Sequence, residues 1–250
     1  MAATEIVTRT YAPSGLVGKI YAMPYGSDAA LMPVGNVLEA STEQSENVEK
    51  QDDMTALGGG THAEMRRVTG VKFKAKLADL NIVNMARALL GTISPEDAGT
   101  VTNKAYTARL GGLIPLPHIN VSNLVLKKGA ATVTAAGNYM LLPEGISVSA
   151  TAAGLIDSDA VTVSYDYADQ VVIEALTTKA PELTLRFGGL NEADSGRSVI
   201  MDMWRVSQGV TKQLTLLKKG FGALDIEGEV LQDPTKTGVG ISRYMRTIHV

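Results

Sequence analysis

The sequence predicts a mainly β protein, of the sandwich or barrel kind, with one flanking α-helix, a long loop and an N-terminal arm. Three observations carry that expectation. Short runs of alternating apolar and polar residues recur through most of the chain, 25 glycines punctuate them, and only one stretch has helical periodicity. With 250 residues, 45% hydrophobic and 20% charged, the chain can bury a sizeable core and is too apolar for wholesale disorder. No apolar run is long enough for a membrane-spanning helix, so no membrane insertion is expected. Met1–Glu5 has neither the basic start nor the apolar block of a signal peptide.

In chain order, residues 1–16 read as an arm, because Thr, Ala and Pro mix without period and Pro13-Ser14-Gly15 is loop chemistry. Residues 17–250 read as the main domain, with 104–178 a candidate β-rich inserted subdomain. Strands are expected over Lys19–Tyr25 and Leu31–Ala40, around a turn at Gly26-Ser27-Asp28. Ser41–Met54 then turns polar and acidic, with Glu43, Glu46, Glu49, Asp52 and Asp53 against Lys50 alone. Gly58-Gly59-Gly60 follows, so 50–62 reads as a long mobile loop, a feature that usually has a task. Val71–Leu77 alternates apolar residues with Lys72, Lys74 and Lys76, the pattern of a half-exposed strand.

One helix is expected next. Ile82, Met85, Ala86, Leu89 and Leu90 follow helical spacing and form the face that packs on the sheet, with Asn81, Asn84 and Arg87 opposite. Asp79 suits its cap, Gly91 a left-handed end, and Pro95 blocks continuation. Beyond it, strands are expected over 119–127, 132–134, 139–142, 146–149, 161–167, 183–187, 198–207, 212–217, 221–231 and 241–248.

Familiar chemistry is hard to place on this chain. It has no cysteine, so disulfides, thiolate metal sites and cysteine nucleophiles are excluded together. Twenty-three basic against 26 acidic residues leave a net charge of −3, the wrong sign for gripping phosphate backbones. At 5%, aromatics are too few for a base-stacking platform. The triple glycine is followed by Thr61-His62 and lacks a phosphate-loop ending, and no Gly-x-Ser-x-Gly elbow occurs. His62, His118 and His249 are scattered and read as surface or loop histidines, and Trp204 as core or interface. No catalytic residue, metal ligand or cofactor is expected.

The order of features resembles one family. The helix stretch Asp79-Leu80-Asn81-Ile82-Val83-Asn84-Met85-Ala86-Arg87-Ala88-Leu89-Leu90-Gly91 comes first. Later come Leu224-Asp225-Ile226-Glu227-Gly228-Glu229-Val230-Leu231-Gln232-Asp233 and Gly240-Ile241-Ser242-Arg243-Tyr244. Together with the pattern of Val121–Tyr167, these resemble the major tail tube proteins of long-tailed bacteriophages over most of residues 17–248. The family's helix often reads Leu-Asn-x-x-Asn-x-Ala-x-Ala-Leu-x-Gly and its late strand x-Ile-x-Gly-Glu-Val-Leu-x-Asp. Residues 1–16 and 93–117 match nothing in that pattern.

The resemblance implies a structural virion protein and no enzyme. Such chains form hexameric rings that stack into a tube, through which DNA passes without specific binding. The implied partners are further copies of the chain and other tail proteins: tape measure, tail terminator and distal tail. The implied location is the virion tail, assembled in the host cytoplasm. Three other classes share the strand pattern: a soluble adhesin-like binding module, a secretion-system or contractile-particle tube protein, and a carbohydrate-active β-sandwich enzyme. Within the tube reading, the segment holding Glu43, Glu46, Glu49, Asp52, Asp53, Gly58, Gly59 and Gly60 is expected to join stacked rings. Its net −4 over 43–53 would face the net +4 of 64–76. Asp225, Glu227 and Glu229 alternate with apolar residues and are expected to line the bore, where carboxylates would keep phosphates mobile.

Overall fold

The structure, a computed structural model, describes residues 3–55, 57–215, 217 and 219–250. In chain order it runs α1 (Ala3–Thr8), β1 (Leu16–Pro24), β2 (Met32–Pro33), β3 (Val37–Asp52), β4 (Thr61–Leu77) and α2 (Ile82–Ala88). Then come β5 (Thr92–Glu96), β6 (Gly99–Thr107), β7 (Leu113–Pro115), β8 (Ser122–Lys128), β9 (Ala131–Val133) and β10 (Tyr139–Leu142). The remaining strands are β11 (Gly145–Val148), β12 (Ala160–Tyr167), β13 (Gln170–Glu174), β14 (Glu182–Asn191), β15 (Arg197–Gln208), β16 (Leu224–Val230) and β17 (Met245–His249). The mainly β expectation with a flanking helix holds. The chain divides into two compact units: one runs to Thr92 and resumes over Glu174–Val250, and the other is Ile93–Ile173.

In the first unit one sheet has the order β2-β1-β14-β15-β16-β4-β3. β16 and β17 share one edge of β15, against Val206–Gln208 and Val199–Met203 respectively. Alternation puts Ile20, Ala22, Val71, Phe73, Ala75, Leu77, Leu183, Leu185, Val206 and Leu224 on one buried face. Ala88 from α2 joins that cluster, and Leu214 packs against it. β1 and β14 approach so closely that a Cβ at Gly18 would lie 2.4 Å from the Gly188 carbonyl oxygen, so only glycine fits there.

The second unit has its own core of Ala108, Ile114, Val121, Leu126, Val133, Ile146, Val148, Leu155, Val161, Val163 and Tyr165. Around it lie a four-stranded sheet, β6-β12-β8-β9, a three-stranded sheet, β10-β11-β7, and the pair β5-β13. Its limits of 93 and 173 are offset from the 104–178 read in the sequence, and β5, β6, β7 and β13 were not expected there.

Several expectations need correction. The arm contains a helix turn at Ala3–Thr8, and its base is fastened: Asn191 accepts from the Gly15 amide at 2.8 Å and donates to the Pro13 carbonyl. The expected loop at 50–62 is shorter, 53–60, and is the turn of a hairpin: β3 and β4 pair from Val37↔Leu77 to Asp52↔Thr61, so the acidic stretch before it is strand. Among the described residues of 212–217 there is no strand.

α2 is shorter than expected and turned. Asn84, Ala86 and Ala88 are its buried residues; Met85, Leu89 and Leu90 are half-buried, and Ile82 is 45% exposed. Asn84 can go inward because its amide donates to the Val34 carbonyl at 2.7 Å and the Asp79 carbonyl at 3.1 Å. Asn81, not Asp79, caps the helix by accepting from the Asn84 amide; Asp79 accepts from the Asn36 amide instead. The left-handed residue at the end is Leu90, and Gly91 N–H reaches the Ala86 carbonyl.

Candidate functional site

The first unit carries its charge on the sheet face opposite the core. β16 lies antiparallel to β4, in a register that sets Asp225 opposite Lys76, Glu227 opposite Lys74 and Glu229 opposite Lys72. On the other side of β4, Glu39 is opposite Lys76 and Glu43 opposite Lys72. One row of lysines therefore runs between two carboxylate rows. Lys74 donates to Glu43 at 2.7 Å, and Lys212 donates to Glu227 at 2.6 Å. These bonds hold both carboxyl groups below their usual range and the Lys74 ammonium above its own. The three acidic residues of β16 are exposed, but their field is largely compensated by β4.

The same strands make an arm. β16 covers β4 only over Lys72–Leu77, so beyond Ser45 and Gly70 the β3–β4 ribbon continues with no third strand. At about 3.4 Å per residue the ribbon projects roughly 20–25 Å. The acidic and basic segments read from the sequence are its two strands. Glu46 pairs with Arg66 at 2.8 Å, Glu64 with Arg66, and Lys50 with Glu64 at 3.7 Å. The −4 and +4 segments thus meet within one chain, which overturns the expectation that they form separate patches.

At the tip the Asp53 amide donates to the Gly60 carbonyl, and Asp53 accepts from the amide and hydroxyl of Thr55, which lowers its pKa. Gly58, Gly59 and Gly60 all take positive φ, so the triple glycine is what turns the ribbon. Met54 and Leu57 stand out from this turn, 88% and wholly exposed.

Two further clusters were not foreseen. Asp202 of β15 is buried between Arg186 of β14 and Arg246 of β17, at 2.5 and 2.9 Å. Burial pushes its carboxyl up, and the two arginines outweigh that and hold it low. Beside it Trp204, half-buried, carries Lys236 and Arg246 over its ring. In the second unit, His118 lies in a loop, one of the two positions expected, but is buried and not at the surface. Its Nδ1 is 2.7 Å from the Tyr165 hydroxyl, its Nε2 3.2 Å from Glu96, and its ring stacks on Tyr167. Gln170 donates to the other Glu96 oxygen. A carboxylate–histidine–hydroxyl chain can activate a nucleophile. Here burial, first, and then neighbouring phenols and Glu96 push the Tyr165 hydroxyl up to about 12, and it is only 1% exposed. The chain locks the phenol in place. The alternation of Val161–Tyr167 was a signal that Tyr165 faces inward; Glu96, His118 and Gln170 are too scattered to be linked from sequence.

Among the described residues no group of three or more His, Asp or Glu is placed to hold a metal ion, and no helix is long and apolar enough to cross a membrane.

The fold and this surface define a mainly β protein with a charged sheet face and a projecting hairpin. The chain belongs to a family described as protein of unknown function UCP028589, whose profile matches residues 14–248. No curated protein matches it.

Proposed function

We propose that the chain is the subunit of a tube, as the major tail tube protein of a long-tailed bacteriophage is: copies close into hexameric rings, and stacked rings conduct DNA into the host. The observation that carries this reading is the β3–β4 arm. A two-stranded ribbon is marginally stable by itself in water. This one leaves the sheet with its ion pairs on its own strands and its apolar tip uncovered. Such an arm is built to lie against another molecule, and a repeating contact with its own kind needs no further partner.

Two other features support the reading. The sheet ends in β3 on one side and, on the other, in β1, which β2 covers only at Tyr21 and Ala22. Open edges on opposite sides of one sheet suit head-to-tail ring closure. The charged face with Asp225, Glu227 and Glu229 is the wall assigned to the bore. Lys72, Lys74 and Lys76 each stand between carboxylates, so a passing phosphate backbone finds no uncompensated row of cations to hold it.

Electron microscopy of the purified protein tests the proposal. Rings or tubes with a central channel are expected; a monodisperse monomer at high concentration would overturn it. Deleting 54–60 is expected to leave a folded chain that polymerises poorly, and normal tubes from that deletion would remove the arm from the account.

A further inference from the structure

The tip of the arm and the segment that precedes β16 are complementary in charge, and they lie at opposite ends of one sheet. The tip groups Glu49, Asp52 and Asp53 with exposed Met54 and Leu57. The segment joining β15 to β16 reads Lys212-Gln213-Leu214-Thr215-Leu216-Leu217-Lys218-Lys219-Gly220-Phe221, with no carboxylate. Its start is fixed: Thr211 donates to the Asp225 carbonyl, Lys212 holds Glu227, and Leu214 packs on the core. Leu217 and Phe221, by contrast, are 94% and 98% exposed.

Register settles where this segment lies. β4 leaves the tip at Thr61 and ends at Leu77, and antiparallel β16 begins at Leu224, opposite Leu77. Thr211 is held at the Asp225 carbonyl and Phe221 lies three residues before Leu224, so the described residues at both ends of the segment stand at the end of the sheet remote from the tip.

We propose that the acidic, apolar tip of one copy docks on Leu217, Lys219 and Phe221, exposed residues of the segment before β16, in a second copy displaced along the strand direction. This rests on the tube reading and names its ring-to-ring contact. Each chain then offers one tip and one receptor at opposite ends. Such a contact has a polarity, cannot close within a pair, and propagates as a stack. Opposite charges steer the approach and disfavour tip-to-tip encounters, while Met54 and Leu57 bury against Leu217 and Phe221.

The absence of native cysteine makes the test clean. Chains carrying Leu57→Cys and Phe221→Cys, mixed and mildly oxidised, are expected to give the 57–221 cross-link in preference to 57–57 or 221–221. Leu57→Asp and Phe221→Asp, at exposed positions where folding is unaffected, should each raise the concentration needed for assembly by about tenfold or more. Mixed, they should form a 1:1 pair, because each retains one working end. Tubes formed by the two cysteine-bearing chains without a 57–221 cross-link overturn this contact and leave the tube reading standing. A wild-type chain that never assembles overturns both.

Discussion

Lys74 donates to Glu43 across the β3–β4 ribbon and also faces Glu227 on its other side, so one lysine sits between two carboxylates from different strands. The relation repeats at Lys72 and Lys76. Charge segregated in sequence is interleaved in space, because antiparallel pairing brings an acidic strand and a basic strand side by side. The surface is left nearly balanced, a different object from the acidic loop and basic strand that a linear reading separates.

The helix yields the first prediction. Asn84→Ala removes the amide that satisfies the Val34 and Asp79 carbonyls and leaves a buried polar gap, so a loss of about 1–3 kcal/mol in urea unfolding is expected. Leu89→Ala, at a half-buried position, should cost less than the 2–5 kcal/mol typical of a full core site, about 1–2 kcal/mol.

These helix residues also show what the sequence could reveal. Strand alternation was legible wherever one face is buried and the other wet: Val71–Leu77, Val161–Tyr167 and Leu224–Val230 all alternate as expected. The helix was found but turned the wrong way, because a periodic apolar stripe outranks an asparagine until its hydrogen-bond partners are known. The hairpin was missed because β3 beyond Glu43 has no apolar alternation, as both faces of a projecting ribbon are exposed. Glu43, Glu46, Glu49, Asp52 and Asp53 thus read as a loop. The Asp202 and His118 clusters join residues from distant strands, information that only the register holds.

Asp202 gives a pH-dependent prediction. Its carboxyl is held below the unfolded value of 3.8, so its contribution is fully present above about pH 4 and is lost as pH falls through the lower folded value. Asp202→Asn should flatten acid destabilisation over that range. Asp202→Ala should cost about 1–3 kcal/mol at neutral pH, moderated because Arg186 and Arg246 can turn to solvent. Thermal melts between pH 2 and 7 check both.

Tyr165 predicts the opposite limb. With its folded pKa raised from 10.0 to about 12, its contribution is fully present below about pH 10 and lost as pH rises towards 12. Tyr165→Phe should remove that alkaline dependence. The substitution also deprives His118 Nδ1 of its partner, a cost of about 1–3 kcal/mol. Ultraviolet titration of the phenols, wild type against Tyr165→Phe, reads the late-ionising group directly.

On the proposed tube reading, the charged face predicts how DNA would respond to an altered wall. Replacing Asp225, Glu227 and Glu229 by Asn, Gln and Gln strips one carboxylate row and leaves Lys72, Lys74 and Lys76 flanked on one side only. Changing all three to Lys places two lysine rows side by side. Cations freed of their carboxylates bind phosphate through counterion release, with an affinity that falls steeply as salt rises. Purified tubes of the neutral variant are therefore expected to retain DNA weakly and those of the Lys variant strongly, both losing it at high salt. Virions carrying the Lys variant should eject DNA more slowly than wild type. The Lys variant also sets like charges directly opposite one another, which weakens the β4–β16 pair, so the neutral variant separates DNA retention from any loss of folding. Ejection at wild-type rates by Lys-variant virions, with no DNA held by either tube, would place these three residues away from the bore.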